Sequence, residues 1–458
     1  MEHYDLVVIG SGPAGEKAAA QAAYFGKRVA VVEKEREPGG AAVHTGTLPS
    51  KTLRETALYL SGHRSRALYG VAVALEENAT LQTLMARKRA IALAEAKRIE
   101  ANLARHDVTL LRGHGRFVDP HTLAVGDTRV GAERFLIATG SSPRRPAGMP
   151  FDSPLVHDSD EVLLIDELPE SLVILGAGVI GCEYACMFAA LGTDVQLVDA
   201  RPDILGFIDE EIRDRLKEEM EKLGVRFWQA KRWGDTTLAG AGVQVALESG
   251  ETLEAEHVLF TAGRVGNTAS LGLENVGLAP NARGHLEVDA QYRTAVPHIL
   301  AAGDVIGFPA LASASMEQGR VAVCRAFGFE YKQRVSETIP YGIYTIPEVS
   351  AVGETEQGCR AEGRAHVVGR ARFHDNARGQ IQGDLGGMTK LVVCAETRKL
   401  LGVHVLGERA SELVHLGQAA LMMEATVDLF IDMVFNFPTL SETYKYAAYE
   451  CLGALAKR

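Results

Sequence analysis

Tyr4-Asp5-Leu6-Val7-Val8-Ile9-Gly10-Ser11-Gly12-Pro13-Ala14-Gly15 is the stretch from which the fold is read. The unbroken apolar run to Ile9 predicts a strand buried on both faces of a parallel sheet. Three glycines follow at the spacing of a dinucleotide fingerprint. Gly10 permits the tight turn, Gly12 lets a pyrophosphate approach the backbone, and Gly15 lets helix and strand pack closely. Pro13 and Ala14 open an alanine-rich helix through Ala23, whose N-terminus offers amide donors and a positive dipole end. A second strand, Arg28 to Val32, ends in Glu33, placed to bind ribose hydroxyls, with Lys34 beside it. A lone GxGxxG is weak evidence; strand, glycines, helix, strand and acid in order are strong.

The pattern occurs twice. Ser171 to Leu175 is again a strand, Gly176-Ala177-Gly178-Val179-Ile180-Gly181 a second fingerprint, and a helix to about Leu191 leads to the strand Asp194–Val198, ending in Asp199. Two complete units imply two dinucleotides at once. Asp199-Ala200-Arg201 sets out both chemistries of nucleotide choice: an acid accepts from an adenosine 2′-OH, and an arginine pairs with a 2′-phosphate. That suits a site used by both NAD(H) and NADP(H); the alternative is an NAD-only site beside which Arg201 points to solvent.

The chain has 458 residues, enough for about three domains. A net charge of −11 argues against a nucleic-acid footprint, and the negative field means that any phosphate site must supply local donors. No apolar run is long enough to span a bilayer, and Met1 leads almost directly into a strand, so no signal peptide or membrane association is expected. The six cysteines, Cys182, Cys186, Cys324, Cys359, Cys394 and Cys451, form no CxxC and no metal cluster. Cys182 and Cys186 read as small buried packing residues, no metal is expected, and the cytoplasm is the expected compartment.

Between the two units stands Gly39-Gly40-Ala41-Ala42-Val43-His44-Thr45-Gly46-Thr47-Leu48-Pro49-Ser50-Lys51. It resembles the redox-active segment of the flavoprotein pyridine nucleotide-disulfide oxidoreductases, G-G-T-C-x-x-x-G-C-x-P-S-K. The frame matches, but Ala42 and Thr47 occupy the cysteine positions, and neither can exchange a disulfide. The resemblance implies FAD at the first unit, contacted also by Gly40, Thr47 and Lys51, and NAD(P)H at the second. It implies that Ala138-Thr139-Gly140 packs beside the flavin nucleotide, that Gly303-Asp304 reaches the ribityl chain, and that the helix over Ala310–Gly319, with Ala312, faces the flavin pyrimidine. It implies a Lys51–Glu183 ion pair near flavin N5, and it places Gly263 in the segment ending the NAD(P) unit. These two charged residues are the catalytic candidates.

Near the end, Asn436-Phe437-Pro438-Thr439-Leu440-Ser441-Glu442 resembles the family's H-P-T-x-x-E, with Phe437 in place of the acid–base His. Phe cannot transfer protons. The groups needed only for thiol chemistry are thus both missing, while those for flavin and nicotinamide remain. The resemblance therefore implies the transhydrogenase branch: ping-pong hydride transfer between NADPH and NAD+ through flavin N5, with no lipoamide, glutathione or mercuric reductase activity. An NAD(P)H-dependent quinone or dye reductase and a flavin-bound sensor of slow turnover are the alternatives. The expected fold is α/β, with two Rossmann-like (three-layer ββα) dinucleotide-binding domains and a C-terminal α+β dimerisation domain. The expected boundaries are 1–145 and 269–332 for FAD, 146–268 for NAD(P) and 333–458 for a homodimer or higher homo-oligomer interface. A long helix over Leu81–Arg105 is expected, with Leu84, Ile91, Ile99 and Leu103 as its apolar stripe and its basic residues on a solvated face.

Overall fold

The structure, a computed structural model, describes residues 1–62 and 81–457, with the side chains of residues 81–84 outside the description. Strand Glu2–Ile9 lies at the centre of a seven-stranded sheet. It pairs in parallel with Val29–Glu33 on one side and Thr128–Ile137 on the other. Thr109–Arg112 extends the first side, and Ile299–Ala301 adds to Thr128–Ile137, both in parallel. The register aligns the strand ends: Ile9 stands opposite Val32 and Ile137, and Ile137 opposite Ala301. The turns at Gly10, Glu33, Ala138 and Gly303 therefore collect along one edge of the sheet, where α/β sheets present their ligand crevice. The return of Ile299–Ala301 to this sheet brings a segment from beyond the second unit back to the first.

The second unit repeats the plan with five parallel strands, in the order Val225–Gln229, Asp194–Asp199, Ser171–Leu175, His257–Phe260, Val156–Asp158. Helices Val179–Ala190 and Glu210–Leu223 contribute to the core on one face, with Leu172, Ile174, Val195 and Leu197. A three-stranded antiparallel sheet, Trp233–Ala239, Gly242–Leu247 and Thr252–Ala255, covers the other through Val243, Val245 and Leu253 against Val173, Leu175 and Val198. This gives the three-layer ββα arrangement. The remaining sheet is a five-stranded antiparallel one, ordered Tyr341–Ile343, Val349–Gly353, Leu400–Leu406, Met388–Cys394, His366–Arg372, with helices Ala410–Met422 and Thr443–Ala456 packed on it. The fold is α/β with two dinucleotide-type units and a C-terminal α+β unit.

The glycine spacing has a steric cause. A Cβ on Gly15 would stand 1.9 Å from the Gly10 carbonyl oxygen, and one on Gly181 would stand 1.8 Å from that of Gly176. Both helices can start over their strands only with glycine there. Helix Leu81–Arg105 forms as its periodicity predicts, with Ile99 and Leu103 buried and Ile91 half-buried; the side chain of Leu84 lies outside the described residues. Its basic face is not wholly solvated: Lys88 is buried, and its Nζ donates to the Leu163 carbonyl at 2.6 Å.

Candidate active site

At the first glycine turn, Gly10 has φ +102° and Gly12 has nothing within 4 Å of where a Cβ would be, so the backbone there is open. Pro13 and Ala14 begin helix Pro13–Tyr24, and Gly15 is buried against the turn. Glu33 is buried. Its Oε2 accepts from the Ser11 amide and hydroxyl, and its Oε1 accepts from the Glu35 amide at 2.9 Å. A carboxylate has about four lone-pair positions, so one remains for a ribose hydroxyl. Ser11 also accepts from the Gly39 amide at 3.0 Å, which ties the turn to the segment leading to Lys51. Lys34 lies apart, exposed and paired with Glu35.

Gly40 takes φ +59°, and a Cβ on it would come within 3.0 Å of Gly12 Cα. Thr47 is exposed at the start of helix Thr47–Leu60, and Ala42 is half-buried on the short helix Gly40–His44. Ala138 is buried after Ile137, while Thr139 and Gly140 are half-buried. Asn267 clasps them: its amide Nδ2 donates to Thr139 O, its backbone N–H donates to Gly140 O, and Thr139 Oγ1 donates to its carbonyl. Gly303 has φ +82° and donates its N–H to Gln318 Oε1 at 2.9 Å. Asp304 is half-buried. Ser141 Oγ donates to its Oδ2 at 3.0 Å and Ser315 Oγ more weakly to its Oδ1 at 3.5 Å, which leaves a lone pair on Oδ1 to accept a hydroxyl. Ala312 begins helix Ala312–Phe327, whose Gly319 packs against Ala14. Open backbone at Gly12, the spare acceptor on Glu33 and the Asp304 carboxylate fit a dinucleotide rich in hydroxyls, as FAD is.

The second unit mirrors the first. Gly176 has φ +112°, Gly178 has no neighbour within 4 Å of a Cβ, and Val179 and Ile180 are half-buried at the helix N-terminus. Gly263 has φ +114° just beyond strand His257–Phe260. Asp199 is buried and joined to Arg201. Burial pushes its carboxyl up, but the Arg201 guanidinium and the backbone amides of Arg201 and Ala177 outweigh that and hold it below the usual carboxylate range.

Lys51 and Glu183 meet between the units. Lys51 Nζ lies 2.7 Å from Glu183 Oε2, with 26% of the Lys side chain and 5% of the Glu side chain exposed. The other carboxylate oxygen accepts from the Tyr344 amide at 2.9 Å, and the ammonium sits 4.8 Å from the Tyr344 ring centroid. Three distant segments thus fix one cation. Nearby Arg54 is buried and donates from Nε to Thr345 O at 2.8 Å, anchoring the Lys51 helix to the C-terminal unit.

Ser11, Asn267 and Tyr344 do not stand out in the sequence. Ser11 acts through its hydroxyl and amide, Asn267 through its side chain and backbone, and Tyr344 through its amide and ring, contacts that no residue pattern announces. Phe437 is 73% exposed, and all six cysteines are free. Cys182 and Cys186 are buried, and burial pushes both thiols up, that of Cys186 to about 12. Among the described residues there is no metal-binding group of His, Cys, Asp and Glu, and no helix is long and apolar enough to cross a membrane.

A model of the pyridine nucleotide-disulphide oxidoreductases matches residues 4–319, and one of their dimerisation domain matches residues 339–448. The chain is 47% identical over 461 residues to the soluble pyridine nucleotide transhydrogenase of Mycobacterium bovis, covering 99% of this chain and 98% of that protein. It is 42% identical to the protein of the same name from Chromohalobacter salexigens, covering 99% of each. Among solved structures, LpdA from Mycobacterium tuberculosis superposes with a TM-score of 0.90 at 30% identity, covering 98% of this chain and 99% of that one. The HOCl-induced flavoprotein disulfide reductase RclA of Escherichia coli gives a TM-score of 0.89 at 27% identity, covering 97% and 99%.

Proposed function

The chain belongs to the pyridine nucleotide-disulphide oxidoreductase family, an FAD-dependent family of enzymes, and we propose that it transfers hydride between NADPH and NAD+ without a redox disulfide. The observation that carries this reading is the Lys51–Glu183 pair, held where the two glycine units meet, in a chain whose redox segment has Ala42 and Thr47 in place of thiols. Relatives named soluble pyridine nucleotide transhydrogenase, similar along nearly the whole length, support it.

In this reading residues 1–145 and 269–332 hold FAD through Gly10, Gly12, Glu33, Ala138-Thr139-Gly140 and Asp304. Residues 146–268 receive NADPH and NAD+ in turn, and residues 333–458 pair two copies. FAD, when bound, supplies a hydride acceptor and donor at N5. The chain supplies position and charge. Gly176, Gly178 and Gly181 seat the pyrophosphate of either nucleotide. Glu183, anchored by the Tyr344 amide, fixes the Lys51 ammonium as the local cation, which favours negative charge developing beside it. No side-chain acid or base is needed for hydride transfer, which agrees with Phe437.

The test is anaerobic mixing of the purified flavoprotein with NADPH and thio-NAD+, following thio-NADH and the flavin spectrum together. Rapid thio-NADH formation with transient flavin bleaching is expected. Bleaching without thio-NADH would refute the transhydrogenase reading and direct the search to quinone acceptors.

A further inference from the structure

The acids that end the two nucleotide strands are held differently. Glu33 keeps one acceptor position open and, among the described residues, has no cation of its own, since Lys34 turns to Glu35. Asp199 has none open. Oδ1 accepts from the Arg201 amide at 2.8 Å and from Arg201 Nε at 2.9 Å; Oδ2 accepts from the Ala177 amide at 2.6 Å and from Arg201 Nη2 at 2.7 Å. All four lone-pair positions are filled, two of them by one guanidinium. In this state Asp199 cannot accept from a ribose 2′-hydroxyl, and Arg201 presents only its unused N–H groups to a 2′-phosphate.

Building on the reading above that both nucleotides use the second unit, we propose that Arg201 is the moving half of a clamp that opens for either one. For NAD(H) it withdraws and cedes Asp199 to the 2′-hydroxyl. For NADP(H) it turns to the 2′-phosphate as a bidentate partner. The construction allows this. The Arg201 side chain is 58% exposed and free to swing, while Asp199, 6% exposed, keeps the Ala177 and Arg201 backbone amides when the guanidinium leaves. The carboxylate is therefore never stranded without donors. Each nucleotide trades one interaction of Arg201 or Asp199 for another of like kind, so a single site serves both without strong preference. Because the closed clamp blocks the 2′-hydroxyl's acceptor and denies the 2′-phosphate a bidentate partner, it lowers both affinities according to the fraction of time it is open.

The clamp makes crossed predictions that two independent readers do not. The FAD-loaded enzyme is titrated calorimetrically with 5′-AMP, which carries the 2′-hydroxyl, and with 2′,5′-ADP, which carries the 2′-phosphate. Arg201→Met is expected to weaken 2′,5′-ADP about 30-fold or more and to tighten 5′-AMP about threefold, because Asp199 is released. Asp199→Asn is expected to tighten 2′,5′-ADP about threefold to tenfold and to weaken 5′-AMP. Unchanged or weaker 5′-AMP binding in Arg201→Met, or unchanged 2′,5′-ADP binding in Asp199→Asn, would overturn the clamp. Fragment binding involves no hydride transfer, so this result and that of the transhydrogenase assay can fail separately.

Discussion

Cutting the Lys51–Glu183 pair from its two ends should have unequal consequences. Glu183→Gln keeps an oxygen for the Tyr344 amide and releases a Lys51 whose side chain is 26% exposed and can turn to water. The loss is that of a partly solvated ion pair, about 1 kcal/mol. Lys51→Met is worse. It leaves the Glu183 carboxylate, 5% exposed, with the Tyr344 amide as its remaining hydrogen-bond donor. An uncompensated buried charge of this kind costs about 3 kcal/mol. The double variant Lys51→Met/Glu183→Gln removes that charge, so it should regain about 2 kcal/mol over Lys51→Met alone. Urea unfolding at saturating FAD, followed through Trp228 and Trp233, reads this, since both tryptophans lie in the second unit, to which Glu183 also belongs. In the same proteins, flavin reduction by NADPH should slow about tenfold or more in Lys51→Met, which has lost the cation, and less in Glu183→Gln, which keeps it. A double variant as unstable as Lys51→Met would refute the argument, because it would mean that the buried carboxylate was never the cost.

Three other outcomes follow from particular contacts. Gly181→Ala places a Cβ 1.8 Å from the Gly176 carbonyl and should abolish reduction by NADPH while FAD stays bound, whereas Gly178→Ala meets no protein atom within 4 Å and should fold normally, with a KM for NADPH raised about tenfold; equal damage from the two would contradict the steric account. Alkylation by N-ethylmaleimide, mapped by mass spectrometry, should reach Cys394 first, the one half-exposed thiol and one held below its usual range by a hydrogen bond from Thr397, and should leave hydride transfer intact; loss of transfer on modification would contradict a thiol-free mechanism. Burial pushes Asp384 up to about 6, with Glu408 and Glu219 adding repulsion and the Glu408 and Gly387 amides opposing it. Its folded form holds the proton more tightly than the unfolded one, so its penalty is absent below about pH 4, grows as pH rises to 6 and is then constant at about 3 kcal/mol. Asp384→Asn should accordingly be the more stable protein at pH 7.5, with the gap closing by pH 4 in urea titrations, and a gap independent of pH would refute the assignment.

What the sequence made legible was whatever repeats or whatever sterics force. Gly15 and Gly181 are demanded by the crossing of helix over strand, so their spacing announces the two units before any coordinates. Ala42, Thr47 and Phe437 are equally plain, because an absent thiol or imidazole is visible by inspection. The Lys51–Glu183 contact spans 132 positions and came only through family resemblance; nothing local predicts it. Closure of the chain supplied the rest. Strand Tyr341–Ile343 stops one residue short of Tyr344. The Tyr344 amide turns instead to Glu183, so the end of a sheet becomes part of the site. Lys390 shows the same limit in the opposite sense. It lies in strand Met388–Cys394, yet its side chain is 1% exposed and joined to Asp209, Glu211 and Glu356. Asp209 in turn caps helix Glu210–Leu223 through the Glu211 and Ile212 amides. The segment between Arg201 and Asp209 is therefore gripped at both ends by ion pairs, one exposed and one buried. A loop anchored in this way can release Arg201 at its open end without loosening the helix at the other. That is the mechanical condition the proposed clamp requires.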